Sequence, residues 1–160
     1  MTCTLPQLRG LLETEGLHYY LIPDQDGVML PVKGTDESFQ FKILIELNGE
    51  FVQFRSIDLL HCPQDHPHLH ATLQVLGEAN YRMRSMKFGW DPTDGEIAAY
   101  VDFWLMTAEF TQEQFGRNTE VFMSILDDEY PRIKEAIETG VVPGISEDED
   151  SEDEEVVDSL

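Results

Sequence analysis

The segment His61-Cys62-x3-His66-x-His68-x-His70 holds the residues most suited to chemistry. Imidazole nitrogen and thiolate sulfur are ligands for zinc and other transition metals. Histidines two apart converge only on a strand or a loop; on a helix each step of two turns the side chain by about 200°. His66 and His70 would then share a helical face, with Cys62 arriving from the loop before it. The competing reading is a polar loop and a first helical turn whose histidines face solvent. Asp24-x-Asp26-Gly27 and Asp91-x-x-Asp94-Gly95-Glu96 have the look of calcium loops. Both lack the remaining ligands and the bidentate glutamate of such loops, and Asp-Gly is above all a turn signal.

Ser56, Ser85 and Cys62 are the nucleophiles considered, and none stands in a nucleophile elbow or a recognisable triad context. No glycine-rich phosphate loop is present. Asn80, three to four residues from Leu76 and Met83, is placed to bond the backbone of the following strand, or to serve as a polar specificity element at an interface. Trp90, Tyr100, Phe103 and Trp104 cluster around one hairpin. They serve as core, or as an anchor patch for another chain if one side of that hairpin is uncovered. No residue is assigned a catalytic, cofactor-binding or metal role.

The elements that must position these residues alternate between helix and hairpin. Thr4-Leu5-Pro6-Gln7 reads as a capping box for a helix over 4–15, with Leu5, Leu8, Leu11 and Leu12 on one face and Gly16 as the stop. Strands follow at 18–22 and 28–32, joined by a turn at 23–27, with Pro31 marking an edge or a break. Phe39, Phe41, Ile43, Ile45 and Leu47 alternate with polar residues up to Asn48-Gly49. Those two residues suit a type I′ turn, which pairs Ile45 with Val52 and Ile43 with Phe54 on one face. Residues 58–66 read as a loop. A helix over 67–84 follows, with Asp65 or His66 before it, Pro67 in its first turn, and Leu69, Leu73, Leu76 and Met83 as its apolar stripe.

A second hairpin spans 86–90 and 96–105 around the turn 91–95; its return strand is apolar on both faces, as a central or doubly covered strand would be. Thr111-Gln112-Glu113-Gln114 is another capping box. It opens a helix to about 138 whose core face carries Phe115, Phe122, Leu126, Ile133 and Ile137. Pro131 should kink this helix unless it ends and restarts there. Gly140, Pro143 and Gly144 close the fold. The order predicts an α+β domain over 1–145: an antiparallel sheet of about five strands with N-terminal, middle and C-terminal helices.

The chain has 160 residues and a formal charge of −22. Residues 146–160 hold nine acids and no base, which leaves 23 acids and 10 bases in the remainder, a net of −13. Such a charge argues against nucleic acid and against anionic membranes as partners. The acidic tail is expected to lack fixed structure. Its three apolar side chains offer about 1.5–3 kcal/mol each, against about 1–2 kcal/mol for ordering each backbone. It serves as a solubilising bristle, binds a basic partner, or folds back on the protein's own surface; Ser146 and Ser151 would add charge if phosphorylated. Two cysteines make no disulfide framework, and neither a signal peptide nor a membrane span is legible, so a cytoplasmic location is expected.

From about residue 69 the chain resembles the YbjN-type family of bacterial sensory transduction regulators. The resemblance rests on Leu76 and Asn80, Lys87-Phe88-Gly89-Trp90, Asp94-Gly95-Glu96-Ile97, Thr111-x-x-Gln114-Phe115 and Tyr130-Pro131-Arg132-Ile133, in that order and spacing. It implies a fold like that of type III secretion chaperones, one that commonly dimerises, with no known enzymatic activity. The acidic tail and the histidine-rich loop depart from the family pattern. The function expected is therefore a non-catalytic protein-binding or regulatory module with another protein as partner, no cofactor, and a homodimeric state. The alternative is a metal-binding or metal-responsive protein using the loop 61–70.

Overall fold

The computed structural model describes residues 2–106 and 108–144. The tail 146–160 lies outside the described residues. Helix α1 (Leu5–Thr14) is followed by strands β1 (Tyr20–Leu21), β2 (Gly27–Lys33), β3 (Ser38–Glu46), β4 (Phe51–Ile57) and β5 (Leu60–His61). Helix α2 (Leu69–Arg82), strands β6 (Lys87–Trp90) and β7 (Glu96–Trp104), and helix α3 (Gln112–Thr139) complete the chain. All strand pairs are antiparallel and form one seven-stranded sheet. The α+β class is as expected. There are seven strands rather than about five, and the one with no counterpart in the sequence reading is β5, whose two residues leave almost no periodicity to read. Strand β5 falls in the segment expected to be loop.

The order across the sheet runs β1, β2, β3, β4, β7. At Tyr100 strand β7 pairs with both Arg55 of β4 and Lys87 of β6; at Ile97 it pairs with both Leu60 of β5 and Trp90 of β6. A strand has two edges, so β4 and β5 lie in file along one and β6 takes the other. Strand β7 is therefore central by pairing. Between β4 and β5 the register on β7 shifts by two residues, and Asp58 in that gap has φ +47. The chain bulges out there and then rejoins its neighbour.

Both capping boxes form: Thr4 with Gln7, and Thr111 with Gln114. The expected pairs Ile45–Val52 and Ile43–Phe54 are present. Asn48 (φ +55) and Gly49 (φ +89) are the central residues of the turn, and the Glu50 N–H donates to Leu47 O at 3.2 Å. Gly49 has a second reason to be glycine: a Cβ there would lie 2.3 Å from Cys3 O, whose residue's N–H donates to Gly49 O. Pro31 sits in β2 beyond the end of the short edge strand β1, where no neighbour needs its missing N–H.

Helix α2 starts at Leu69, with His68 as N-cap and Pro67 outside it, because turns at 63–69 continue past the proline. Its buried face is Ala71, Thr72, Val75, Leu76 and Ala79. Leu73, expected on that stripe, is 38% exposed, and Asn80 is also on the exposed side. At about 100° per residue Leu73 lies roughly 120° from the centre of the face made by Ala71, Thr72, Val75, Leu76 and Ala79, so it turns outward. Helix α3 is continuous through Pro131 and neither ends nor restarts there.

The three helices gather on one face of the sheet. Val28, Leu30, Phe41, Ile43, Val52, Phe54, Ile97 and Ala99 meet Leu8, Leu12, Val75, Phe115, Phe122, Leu126 and Ile133 in one core. Phe41 and Phe54 lie 5.3 and 5.8 Å, centroid to centroid, from Phe122 and Phe115 of α3. Two ion pairs join α2 to α3, Arg82 to Glu129 at 2.8 Å and Arg132 to Glu78 at 3.4 Å, and within α3 Arg132 also pairs with Glu129 at 2.5 Å. Arg132 also donates to Pro143 O, which ties down the chain after α3.

Candidate functional site

The histidine-rich segment does not converge. Cys62 is buried, with its thiol on Thr72 Oγ1 at 3.6 Å, and Thr72 in turn donates to His68 O. His68 Nδ1 lies 2.8 Å from Ile137 O, and the His68 N–H donates to His66 Nδ1 at 3.2 Å. The His66 and His68 rings meet edge to face, while His61 and His70 are exposed. His66 lies before α2 and shares no helical face with His70. Among the described residues no three His, Cys, Asp or Glu side chains come together as a metal site.

The other chemical residues are spent on structure. The Ser56 hydroxyl accepts from the Ala99 N–H inside the sheet, and Ser85 is exposed. Burial pushes the Cys3 thiol up to about 11. Asp91 and Asp94 accept from the N–H groups of Thr93 and Glu96, which makes the segment a turn closed by its own carboxylates. The Thr93 N–H bond holds the Asp91 carboxyl below its usual range. Asn80 reaches β6: its Nδ2 donates to Phe88 O at 2.9 Å and its Oδ1 accepts from the Phe88 N–H at 2.7 Å. A side-chain amide thus imitates a neighbouring strand at the sheet edge.

What the helices leave uncovered is the opposite face of the sheet. The register sets its side chains in cross-strand rows: Lys42, Arg55, Tyr100 and Lys87; then Leu44, Gln53 and Asp102; then Glu46, Phe51 and Trp104. The first two rows are tied together by polar bonds. Arg55 pairs with Glu96, Lys87 with Asp102, and Gln53 donates to Asp102, each at 2.8 Å. Burial, the largest single influence on Asp102, raises its pKa; the hydrogen bonds from Lys87 and Gln53 outweigh it and hold the carboxyl below its usual range. The hydrogen bond to Asp102 chiefly, and the Asp102 charge with it, raise the pKa of the Lys87 ammonium, whose Nζ lies 4.6 Å from the centroid of the Tyr100 ring.

Tyr100 lies across Gly89, where a Cβ would meet the phenol oxygen at 2.9 Å, so only glycine lets the ring lie down. The aromatic cluster expected around this hairpin is therefore divided. Tyr100 is half-buried within its own chain, Phe103 packs on Phe54 and Phe110, and the Trp90 indole donates to Cys62 O. Trp104 is 63% exposed and stacks obliquely on Phe51, with ring centroids 4.9 Å apart. Leu47 and Met106 are exposed at the same end of the sheet, where Leu105 N–H donates to Glu50 O. The sequence reading named Trp104 but missed Phe51, Leu47 and Met106. The Asn-Gly turn announced only Phe51's place opposite Glu46; its pairing with Trp104 is set by the β4–β7 register, which no local turn marks.

The family model described as "Putative bacterial sensory transduction regulator", YbjN, matches residues 4–135. The crystal structure of YbjN from E. coli, a "putative transcription regulator", superposes with a TM-score of 0.62 at 14% identity, covering 84% of this chain and 92% of that one. The crystal structure of the ExsC-ExsE complex contains a chain that superposes with a TM-score of 0.51 at 17% identity, covering 82% and 96%. No curated protein sequence matches the chain.

Proposed function

The chain belongs to the YbjN family, and from that premise we propose that it is a non-catalytic module that binds another protein in a regulatory role. One observation carries this reading. Three helices cover one face of the sheet and leave the other open, with Trp104 exposed at its end and Phe51 half-buried against it. Large aromatics exposed on a rigid sheet are anchor residues when a partner covers them.

The module acts as a cytoplasmic homodimer. Both cysteines are free and buried, and no helix among the described residues is long and apolar enough to cross a membrane. Support for the dimer comes from α2, where Leu73, Gly77 and Tyr81 succeed one another at intervals of four on the exposed side, Tyr81 at 92%. A Cβ on Gly77 would meet nothing within 4 Å. Two such helices crossing about a two-fold axis at Gly77 bring Leu73 of each copy against Tyr81 of the other, a self-complementary contact.

The test is affinity capture from the native cell extract on the full chain, followed by light scattering of the chain with the purified partner. A defined complex on a dimeric chain is expected. Retention of nothing beyond what an unrelated protein of equal negative charge retains would overturn the reading.

A further inference from the structure

The end of the open sheet face also states what kind of partner fits it. The row Glu46, Phe51 and Trp104 contains no base, and Leu47 and Met106 add exposed apolar surface beside it. Three carboxylates frame this patch. Glu46 is the cross-strand neighbour of Phe51, and Glu50 closes the turn whose carbonyl holds Leu105. Glu109 lines a hollow of about 240 Å³ with Asp102, Trp104, Gln114 and Asn118. None of Glu46, Glu50 and Glu109 is in an ion pair among the described residues, whereas Asp102 is held by Lys87. The nearest bases on this face, Lys42, Arg55 and Lys87, form one row that lies two rows from Phe51 and Trp104, and of these Arg55 and Lys87 are committed to Glu96 and Asp102.

We infer that this patch is a docking surface for a basic amphipathic segment of another protein, whose apolar side chains cover Phe51 and Trp104 while its Lys or Arg side chains meet Glu46, Glu50 and Glu109. The inference deepens the protein-binding reading above and rests on it. Charge selects the occupant. A second copy would set three carboxylates against the same three, which costs association rather than aiding it. Residues 146–160, with nine acids and no base, are excluded on the same ground. A nucleic acid or an anionic membrane is repelled by the patch and by the net charge of −22. A basic segment gains twice: desolvation of the aromatic anchors sets its residence time, and the acidic frame steers its approach.

The experiment is fluorescence anisotropy with the full chain and a labelled, end-capped heptapeptide alternating Lys with Leu and Phe. A second peptide replaces Leu and Phe with Ser, and so reads attraction to the tail and to the net charge alone. The amphipathic peptide is expected to bind more tightly than the Ser peptide. Trp104→Ala should weaken it about tenfold or more, as loss of a central aromatic anchor does. The triple variant Glu46→Gln, Glu50→Gln, Glu109→Gln should weaken it about fivefold and flatten its salt dependence. All four positions are on the surface, and circular dichroism confirms that each variant folds.

Equal affinity of all variants, or equal binding of the two peptides, overturns the inference. The wider reading is separable. If the patch variants are indifferent to peptide yet Trp104→Ala captures the same cell protein as the parent chain, this surface is wrong and protein binding stands. If neither chain captures a protein, both fail.

Discussion

Truncating Glu129 to alanine should be among the most damaging single changes available in this fold. Its carboxylate is 8% exposed and accepts from two guanidiniums, Arg82 and Arg132. Arg82 is 35% exposed and can turn to water once released, so its share of the loss is small. Arg132 cannot: it is 13% exposed, its Nε already has no partner, and only Glu78 at 3.4 Å and Pro143 O at 3.1 Å would remain. Removing one member of a buried pair and leaving the other charge in place costs about 3–5 kcal/mol. For a domain of this length, that lowers the melting temperature by roughly 10–15 °C. Replacing both partners, Glu129→Leu with Arg132→Leu, removes the stranded charge and should recover much of the loss. Urea unfolding of Glu129→Ala, and of Glu129→Leu, Arg132→Leu and their double variant as the cycle, is followed by circular dichroism. A cost below about 1 kcal/mol for Glu129→Ala, or a double variant as unstable as the two single losses added, would refute the reasoning.

Asn80→Ala loses both bonds to Phe88; because Asn80 is exposed, water can replace them, so the cost should be about 1–2 kcal/mol, with faster exchange of the Phe88 amide by NMR. Gly77→Ala, which meets open space, should stabilise the monomer by up to about 1 kcal/mol in urea unfolding and loosen the dimer in light scattering. The Asp102 carboxyl is held low in the folded state, so the Lys87–Asp102 pair stabilises fully above the usual carboxylate value of about 4 and loses this as pH falls through the lower folded value. The stability difference between the parent chain and Asp102→Asn should accordingly shrink in acid, and a difference constant from pH 7 to pH 2 would contradict it. Deleting residues 146–160 is proposed to leave the melting temperature unchanged or slightly higher through relief of repulsion, and a loss of several degrees by calorimetry would show that the tail docks.

Periodicity and turn chemistry made most of this architecture legible. Asn48-Gly49 dictated a turn, and the turn dictated the Ile45–Val52 register and with it Phe51's place opposite Glu46. The Phe51–Trp104 pair belongs to the β4–β7 register, which joins strands distant in the chain. The two capping boxes located helix starts because their side chains satisfy otherwise unpaired N–H groups. What the sequence concealed was set by contacts distant in the chain. Strand β5 exists because β7 offers an edge to two residues after a bulge at Asp58, and no local pattern encodes that. Leu73 reads as core by spacing, but α2 packs through Ala71, Thr72, Val75, Leu76 and Ala79, a face that leaves Leu73 outside it. The Arg82–Glu129–Arg132 group joins residues 47 apart in α2 and α3 and leaves only helical charge spacings as a trace. Cys62 and the histidines looked like ligands by type, yet the fold turns the thiol inward to Thr72 and spends His68 on Ile137. Their spacing gave no direction for the side chains.

Hydrogen-exchange mass spectrometry on the full chain, with and without the protein it captures, tests the central claim that the uncovered sheet face binds a partner. Added protection is predicted in peptides covering 46–51 and 102–106, with α2 unchanged beyond its protection in the free dimer. Protection confined to α1, α2 or α3, with the 46–51 and 102–106 peptides exchanging as before, would contradict the account.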